Sequence, residues 1–194
     1  MDIMIDIESW ATVPQAVVRA IGIVAFSRWS GAILNQHLID ATASVDNQIE
    51  HGRVIDPTTV GWWQNQHALS GILDTYKNRI TVSTTDQLQN AVLHLLHQYT
   101  WDENLRKFHH DARLWSRGGF DMQVLRTLGE MPWFYWQERD VRTLDELQVK
   151  EQSNHPHDPM SDCLAQIKQV HNVFAAAGRV ASSEKEPHHA PTSS

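Results

Sequence analysis

Met1-Asp2-Ile3-Met4-Ile5-Asp6-Ile7-Glu8 opens the chain, and the reading of this stretch decides the fold. Its alternation of apolar and acidic residues predicts a β-strand over about residues 2–8. Strand side chains alternate between faces, so Asp6 and Glu8, two apart, point the same way. Two carboxylates side by side repel each other unless a cation sits between them. Taken alone, the pair also fits an exposed, solvated strand. An apolar strand, however, ordinarily keeps such charges to its end.

Outward from this strand, a loop with Pro14 precedes Ala20-Ile21-Gly22-Ile23-Val24-Ala25-Phe26, and a third strand is expected over Ala32–Ile39, with Ser30-Gly31 as the turn. Three strands in a row predict an antiparallel meander. Asp56-Pro57 reads as an N-cap with proline in the first helical position, and that helix runs through Trp62, Trp63 and Gln66. Thr84-Thr85-Asp86-Gln87 has capping-box spacing ahead of Leu88, Val92, Leu95 and Leu96. A short strand over Ala112–Ser116 leads through Arg117-Gly118-Gly119 into a helix from Phe120. Phe134-Tyr135-Trp136 suggests a fifth strand, a short helix follows near Thr143, and a last helix spans about Pro159–Ala177. This order predicts an α/β layer structure with a mixed central sheet flanked by helices. One domain over residues 1–180 is expected, with a polar, disordered tail over 181–194.

Composition narrows the function classes. A chain of 194 residues can bury one substantial core, and 20% charged residues describe an ordinary folded protein. The single cysteine, Cys163, excludes an internal disulfide and fits a reducing cytoplasm. The longest apolar run is too short to span a bilayer, so no membrane is expected as a partner. A formal charge of −7 opposes broad electrostatic binding to long nucleic acid but not the grip of a strand end.

Two further acids fit the first pair. Asp121 follows a glycine-rich turn after a strand, where a carboxylate can project over the sheet edge. Asp162 falls in the first turn of the last helix, where an acid also suits the positive helix end. Either one alone is as well read as a surface charge. His157 precedes Asp162 by five residues. Twelve histidines make the residue type uninformative, and His155 is the obvious competitor. His109-His110 and His188-His189 read as solvated pairs.

The ordered set Asp6, Glu8, Asp121, His157 and Asp162 resembles the catalytic set of the DEDDh 3′–5′ exonucleases, the DnaQ-like and RNase T-like group. More blocks support the likeness. Trp62-Trp63-Gln64-Asn65-Gln66, Trp115-Ser116-Arg117-Gly118-Gly119-Phe120-Asp121, Trp136-Gln137-Glu138-Arg139-Asp140-Val141-Arg142-Thr143 and His157-Asp158…Asp162-Cys163 are similar to elements of small phage-type exonucleases, such as exonuclease A of the T-even phages, and of related mycobacterial exoribonucleases. Two departures stand out: Glu8-Ser9-Trp10-Ala11 lacks the glycine of the usual E-T-x-G, and the turn before Phe120 is one residue short.

The resemblance implies a ribonuclease H-like fold and hydrolysis of single-stranded DNA or RNA 3′ ends to nucleoside 5′-monophosphates. It implies two Mg²⁺ or Mn²⁺ ions held by Asp6, Glu8, Asp121 and Asp162, hard oxygen ligands suited to such ions. Only His157 has the family's H-x4-D relation, which makes it the general base. Ser9, Trp10, Trp63, Gln66 and Arg117 become candidates for substrate contact, Trp63 with core packing as its alternative. Arg139 and Arg142 can meet phosphates or form an internal network, and Asp140 is read as structural. A homodimer is compatible with the resemblance, as is the cytoplasm of a bacterium or of a phage-infected host. Two rivals remain: a catalytically silent scaffold that binds nucleic acid, and a phosphohydrolase of small nucleotides. A silent descendant is expected to lack a ligand or the histidine, and none is missing.

Overall fold

β1 (Asp2–Ser9) pairs with β2 (Val18–Phe26), and β2 with β3 (Ile33–Asp40), both antiparallel, as the meander predicted. The computed structural model describes residues 1–65, 79–102, 107–108, 111–147 and 150–183. On one flank β4 (Arg79–Thr81) adds parallel to β3; on the other β7 (Arg113–Ser116) adds parallel to β1, and β8 (Glu138–Asp140) parallel to β7. The six-stranded mixed sheet has the order β4-β3-β2-β1-β7-β8. A small hairpin of β5 (Trp101–Asp102) and β6 (Lys107–Phe108) stands apart from it.

Helices cover both faces. α3 (Thr85–Thr100) and α4 (Phe120–Arg126) pack with Ile3, Ile5 and Ile7 of β1 in one core. α5 (Pro159–Ser183) packs through Met160, Cys163, Ile167 and Val170 on Met4, Val24 and Phe26 in the other. The odd residues of β1 therefore serve one core, while Met4 and its same-face neighbours Asp6 and Glu8 face α5. Leu88, Val92 and Leu96 of α3 are fully buried at helical spacing, each contributing about 1.5–3 kcal/mol. Among the described residues the remaining α-helices are α1 (Val45–Glu50) and α2 (Pro57–Asn65).

Gly22 lets α5 reach the sheet. It pairs with Asp6 in the β1–β2 register, and a Cβ there would lie 2.6 Å from the carbonyl oxygen of Pro159. Gly22→Ala must push the start of α5 outward, taking Asp162 with it. We expect a loss of about 1–3 kcal/mol by overpacking together with reduced activity. Thermal melts read beside kinetics check this.

Several expectations need correction. Phe134-Tyr135-Trp136 is not a strand: Tyr135–Gln137 forms a 3-10 turn, and the strand starts at Glu138. The buried Gln137 side chain accepts from the Phe134 N–H while the Gln137 backbone N–H donates to the Phe134 carbonyl, which closes the turn that aromatic β-propensity had obscured. The capping box at α3 is displaced. Thr84 Oγ1 accepts from the Gln87 N–H, but Gln87 Oε1 accepts from Ser83 rather than Thr84. The last helix runs to Ser183, beyond the expected end at Ala177. β4, the hairpin of β5 and β6, and α1 were not anticipated. Gln66, His109-His110 and residues 184–194 lie outside the described residues.

Candidate active site

Five acids line one cleft of about 380 Å³: Asp6 and Glu8 from β1, Asp121 from α4, Asp162 from α5, and Glu151, which is tied to Lys168 and Asn172 and leaves the other four facing one another. Each of these four is placed by a local cause. β1 puts Asp6 and Glu8 on one face. The turn at Gly118, whose φ of 89° suits glycine, leads to α4, and Asp121 in its first turn accepts from the Ile7 N–H at 3.0 Å. Asp158 caps α5 by accepting from the Met160 N–H, so Asp162 comes to lie one turn inside the helix.

His157 joins them. One ligand atom each from Glu8, His157 and Asp162 lie within 4.8 Å of one another. The His157 backbone has φ 67°, rare for a residue with a side chain, and its N–H donates to Asp162 Oδ2 at 2.9 Å. The ring stands edge-on to Trp62, with centroids 4.6 Å apart, and to Trp63 at 6.0 Å. Such held strain is common where a side chain must be aimed. His155 is exposed and outside the cleft lining; its N–H donates to Ser161 Oγ.

The acids resist ionising together. Burial, then the charges of Asp121 and Asp162, hold Asp6 well above the usual carboxylate range, opposed by a hydrogen bond from Gln166 Nε2 at 3.0 Å. Glu8 is raised by burial and by Asp6, Asp162 and Asp121, with Arg19 opposing. Burial lifts Asp121 to about 7 against the N–H donors that favour its anion.

These shifts fix a sign. A carboxylate raised by folding binds its proton more tightly when folded, so its stabilising contribution is whole below the unfolded value near 3.8 and is lost as pH climbs through about 7. Metal-free protein in EDTA should therefore lose several degrees of melting temperature between pH 5 and 7.5. Divalent cation should flatten that slope, because it stabilises the ionised acids. Equal slopes with and without Mg²⁺ or Mn²⁺ would count against a cation at this cleft.

The donor set suits hard cations. It is made mostly of carboxylate oxygens, with a His157 ring nitrogen in the group formed by Glu8 and Asp162, and the buried Gln166 Oε1 beside them has no hydrogen-bond partner among the described residues.

A second, mostly apolar pocket of about 520 Å³ adjoins the cleft and shares Ile7, Glu8 and Phe120 with it. Ser9, Ala11, Trp62 and Trp63 line this pocket. Ser9 is buried and its hydroxyl donates to the Ala11 carbonyl at 2.7 Å. Trp63 is buried and donates through Nε1 to the Ser9 carbonyl at 2.9 Å, so it is a fixed wall and part of the packing. Trp10 meets Trp63 edge-on but does not line the pocket. Arg117 does line the acidic cleft, its guanidinium tied to Asp145 at 2.6 Å and Gln169 at 3.3 Å. Asp140 is structural, accepting from the N–H groups of Gly118 and Arg142.

Three residues at the site were not singled out from sequence. Gln166 lies one helical turn after Asp162, a spacing that could have revealed it. Lys150 lines the cleft from a segment without pattern. Arg19 of β2 stacks behind the second pocket, 4.8 Å from the Trp63 ring centroid and 5.3 Å from that of Trp10.

The family model of the Rv2179c-like 3′–5′ exoribonuclease domain matches residues 1–174. No curated protein sequence matches the chain. Among solved structures it is similar to exonuclease I, with a TM-score of 0.60, 14% identity, and cover of 94% of this chain and 42% of that one. It is also similar to a zinc-bound exonuclease I of E. coli in complex with single-stranded DNA, with a TM-score of 0.50 and 12% identity over 95% of this chain and 41% of that one. The chain thus spans about two fifths of the length of these proteins. Identities this low show the fold alone, and that fold is ribonuclease H-like.

Proposed function

The chain belongs to the Rv2179c-like 3′–5′ exoribonuclease domain family, and from that premise we propose that it shortens single-stranded RNA from the 3′ end, releasing nucleoside 5′-monophosphates. The observation that carries this reading is the convergence of Asp6, Glu8, Asp121 and Asp162 with His157 on one cleft. The four acids are the residues to hold two divalent cations. Such ions, when bound, stabilise charge on the attacking and leaving oxygens of a phosphodiester.

The chain's own groups have distinct tasks. His157 takes a proton from the attacking water, its ring aimed by the left-handed backbone and the flanking tryptophans. Gln166 holds Asp6 in place through its amide N–H. Arg117, braced by Asp145, and Lys150 offer positive charge to the phosphates on the β7–β8 side of the cleft. The second pocket takes the terminal nucleoside, with Trp63 as a wall and Ser9 within reach of the sugar. Phe120 lines both the cleft and this pocket and so stands between the two.

Matched end-labelled RNA and DNA oligonucleotides, single-stranded and duplex, test the proposal. Stepwise loss from the 3′ end of single-stranded RNA, with 5′-monophosphates released and Mg²⁺ or Mn²⁺ required, is the expected result. No mononucleotide release from any of them would overturn it. Preference for DNA would overturn the choice of sugar only.

A further inference from the structure

Three consecutive aromatic residues stand exposed at the end of the sheet opposite the acidic cleft: Phe134 (37% exposed), Tyr135 (76%) and Trp136 (44%). They do not dangle. Gln137, fully buried, closes their 3-10 turn and also donates to the Ala112 carbonyl. Arg139 Nη1 donates to the Trp136 carbonyl at 2.7 Å. Phe134 and Trp136 lie stacked, with centroids 4.2 Å apart and planes 7° from parallel; Tyr135 meets Trp136 edge-on. A rigid, outward aromatic stack loses little entropy when a flat ligand lands on it.

Charge identifies the ligand. Arg28 and Arg113 both act electrostatically on Arg139, so three guanidiniums crowd this end of β1, β7 and β8. The acids beside them are Asp111, Asp2, which is in an ion pair with Arg28, and Glu138, which is paired with a fourth guanidinium at Arg126. This is a local cationic excess on a chain of formal charge −7. Aromatic faces next to guanidiniums fit the bases and phosphates of a single strand. A second copy seated on the same patch by a two-fold axis would bring like arginines together, which disfavours that occupant.

We propose that Tyr135, Trp136 and Arg139 form a distal platform that holds the trailing part of a single-stranded nucleic acid whose 3′ end lies in the cleft. The proposal rests on the exonuclease reading. From Glu8 to the β1 residue level with Glu138 is five residues, so at about 3.3 Å per residue, plus the turn, the platform lies roughly 20 Å from the acids. A strand stacked at about 3.4 Å per nucleotide covers that distance in about six. Arg142, exposed at the active-site end of β8, stands along the way. Substrates of three nucleotides cannot reach the platform, whereas substrates of twenty can.

The test compares wild type with Tyr135→Ala, Trp136→Ala and Arg139→Gln on single-stranded RNA of 3 and 20 nucleotides sharing one 3′ end. KM and kcat are read beside anisotropy of the labelled strands and thermal melts. Each variant should raise KM and Kd for the 20-mer about 5- to 100-fold. For the 3-mer, KM and kcat should stay within twofold. Arg139→Gln should also flatten the salt dependence of 20-mer binding, whereas Trp136→Phe, which keeps a stacking face, should bind the 20-mer more tightly than Trp136→Ala does.

Unchanged 20-mer binding in Tyr135→Ala and Trp136→Ala, with melting unchanged, would overturn the platform. So would a change in sedimentation mass without a length-dependent KM, which would mark the patch as an interface between copies. If wild type released no mononucleotides from either substrate, the exonuclease reading would fail. Anisotropy of the 20-mer would then still judge the platform by itself.

Discussion

Asp6→Asn should lower turnover by about 10³-fold or more while the protein stays folded. Asparagine keeps the shape of the side chain and can still accept the Gln166 N–H, but it removes a charged oxygen from the middle of the cleft. Asp6 is crowded by its neighbours, facing the charges of Asp121, Asp162 and Asp158 after burial has already desolvated it. Deleting its charge therefore has two opposite consequences. Cation binding weakens and the reacting phosphate loses its electrostatic support, so activity falls. In EDTA at neutral pH the repulsion is relieved, so the melting temperature should rise above that of wild type. Single-turnover kinetics with saturating Mn²⁺, together with melts in EDTA, check both halves. A variant within tenfold of wild-type turnover would remove Asp6 from the catalytic centre, and Asp121→Asn should follow the same pattern.

What could be read from the sequence depended on whether a residue's role followed from local periodicity. The face shared by Asp6 and Glu8 was legible because β1 alternates with a period of two. Ile3, Ile5 and Ile7 mark one core, and the acids must then lie on the other side. Asp162 was legible because helix starts favour acids. Trp63 was only half legible, since an aromatic residue on a helix can either stack on substrate or pack. Its Nε1 bond to the Ser9 carbonyl is what makes it a wall, and that contact joins residues 54 apart. The misreading of Phe134-Tyr135-Trp136 has the same origin: propensity favours a strand, but Gln137 bonds back to Phe134 and buries itself beneath the turn. β4 has three residues and no alternation to detect, and its pairing with β3 is a long-range contact. The Gln166–Asp6 bond spans 160 positions, so only folding brings that pair together. The left-handed backbone of His157 carries only a weak sequence signal, since histidine adopts it more often than most residues but far less often than glycine.

That backbone gives the other large effect its logic. His157→Ala should cost about 10²–10⁴-fold in turnover, the range for a lost general base, with divalent cation binding retained. The anchoring contact to Asp162 Oδ2 comes from the His157 backbone N–H, which alanine keeps, so Asp162 should hold its position when the ring is gone. The loss should fall on kcat more than on KM, because the ring acts on the attacking water rather than on the bound strand. His155→Ala is the control. Its ring is exposed and its backbone N–H to Ser161 Oγ survives the change, so its turnover should remain within about threefold of wild type, as for a surface substitution away from the site. Calorimetric titration with Mn²⁺ separates lost proton transfer from lost cation. If His157→Ala fails to bind Mn²⁺ while its melting temperature is unchanged, His157 is a ligand alongside Glu8 and Asp162, as the 4.8 Å grouping permits, and the base must be sought elsewhere. If Mn²⁺ binds normally and only turnover collapses, the proton-transfer assignment stands.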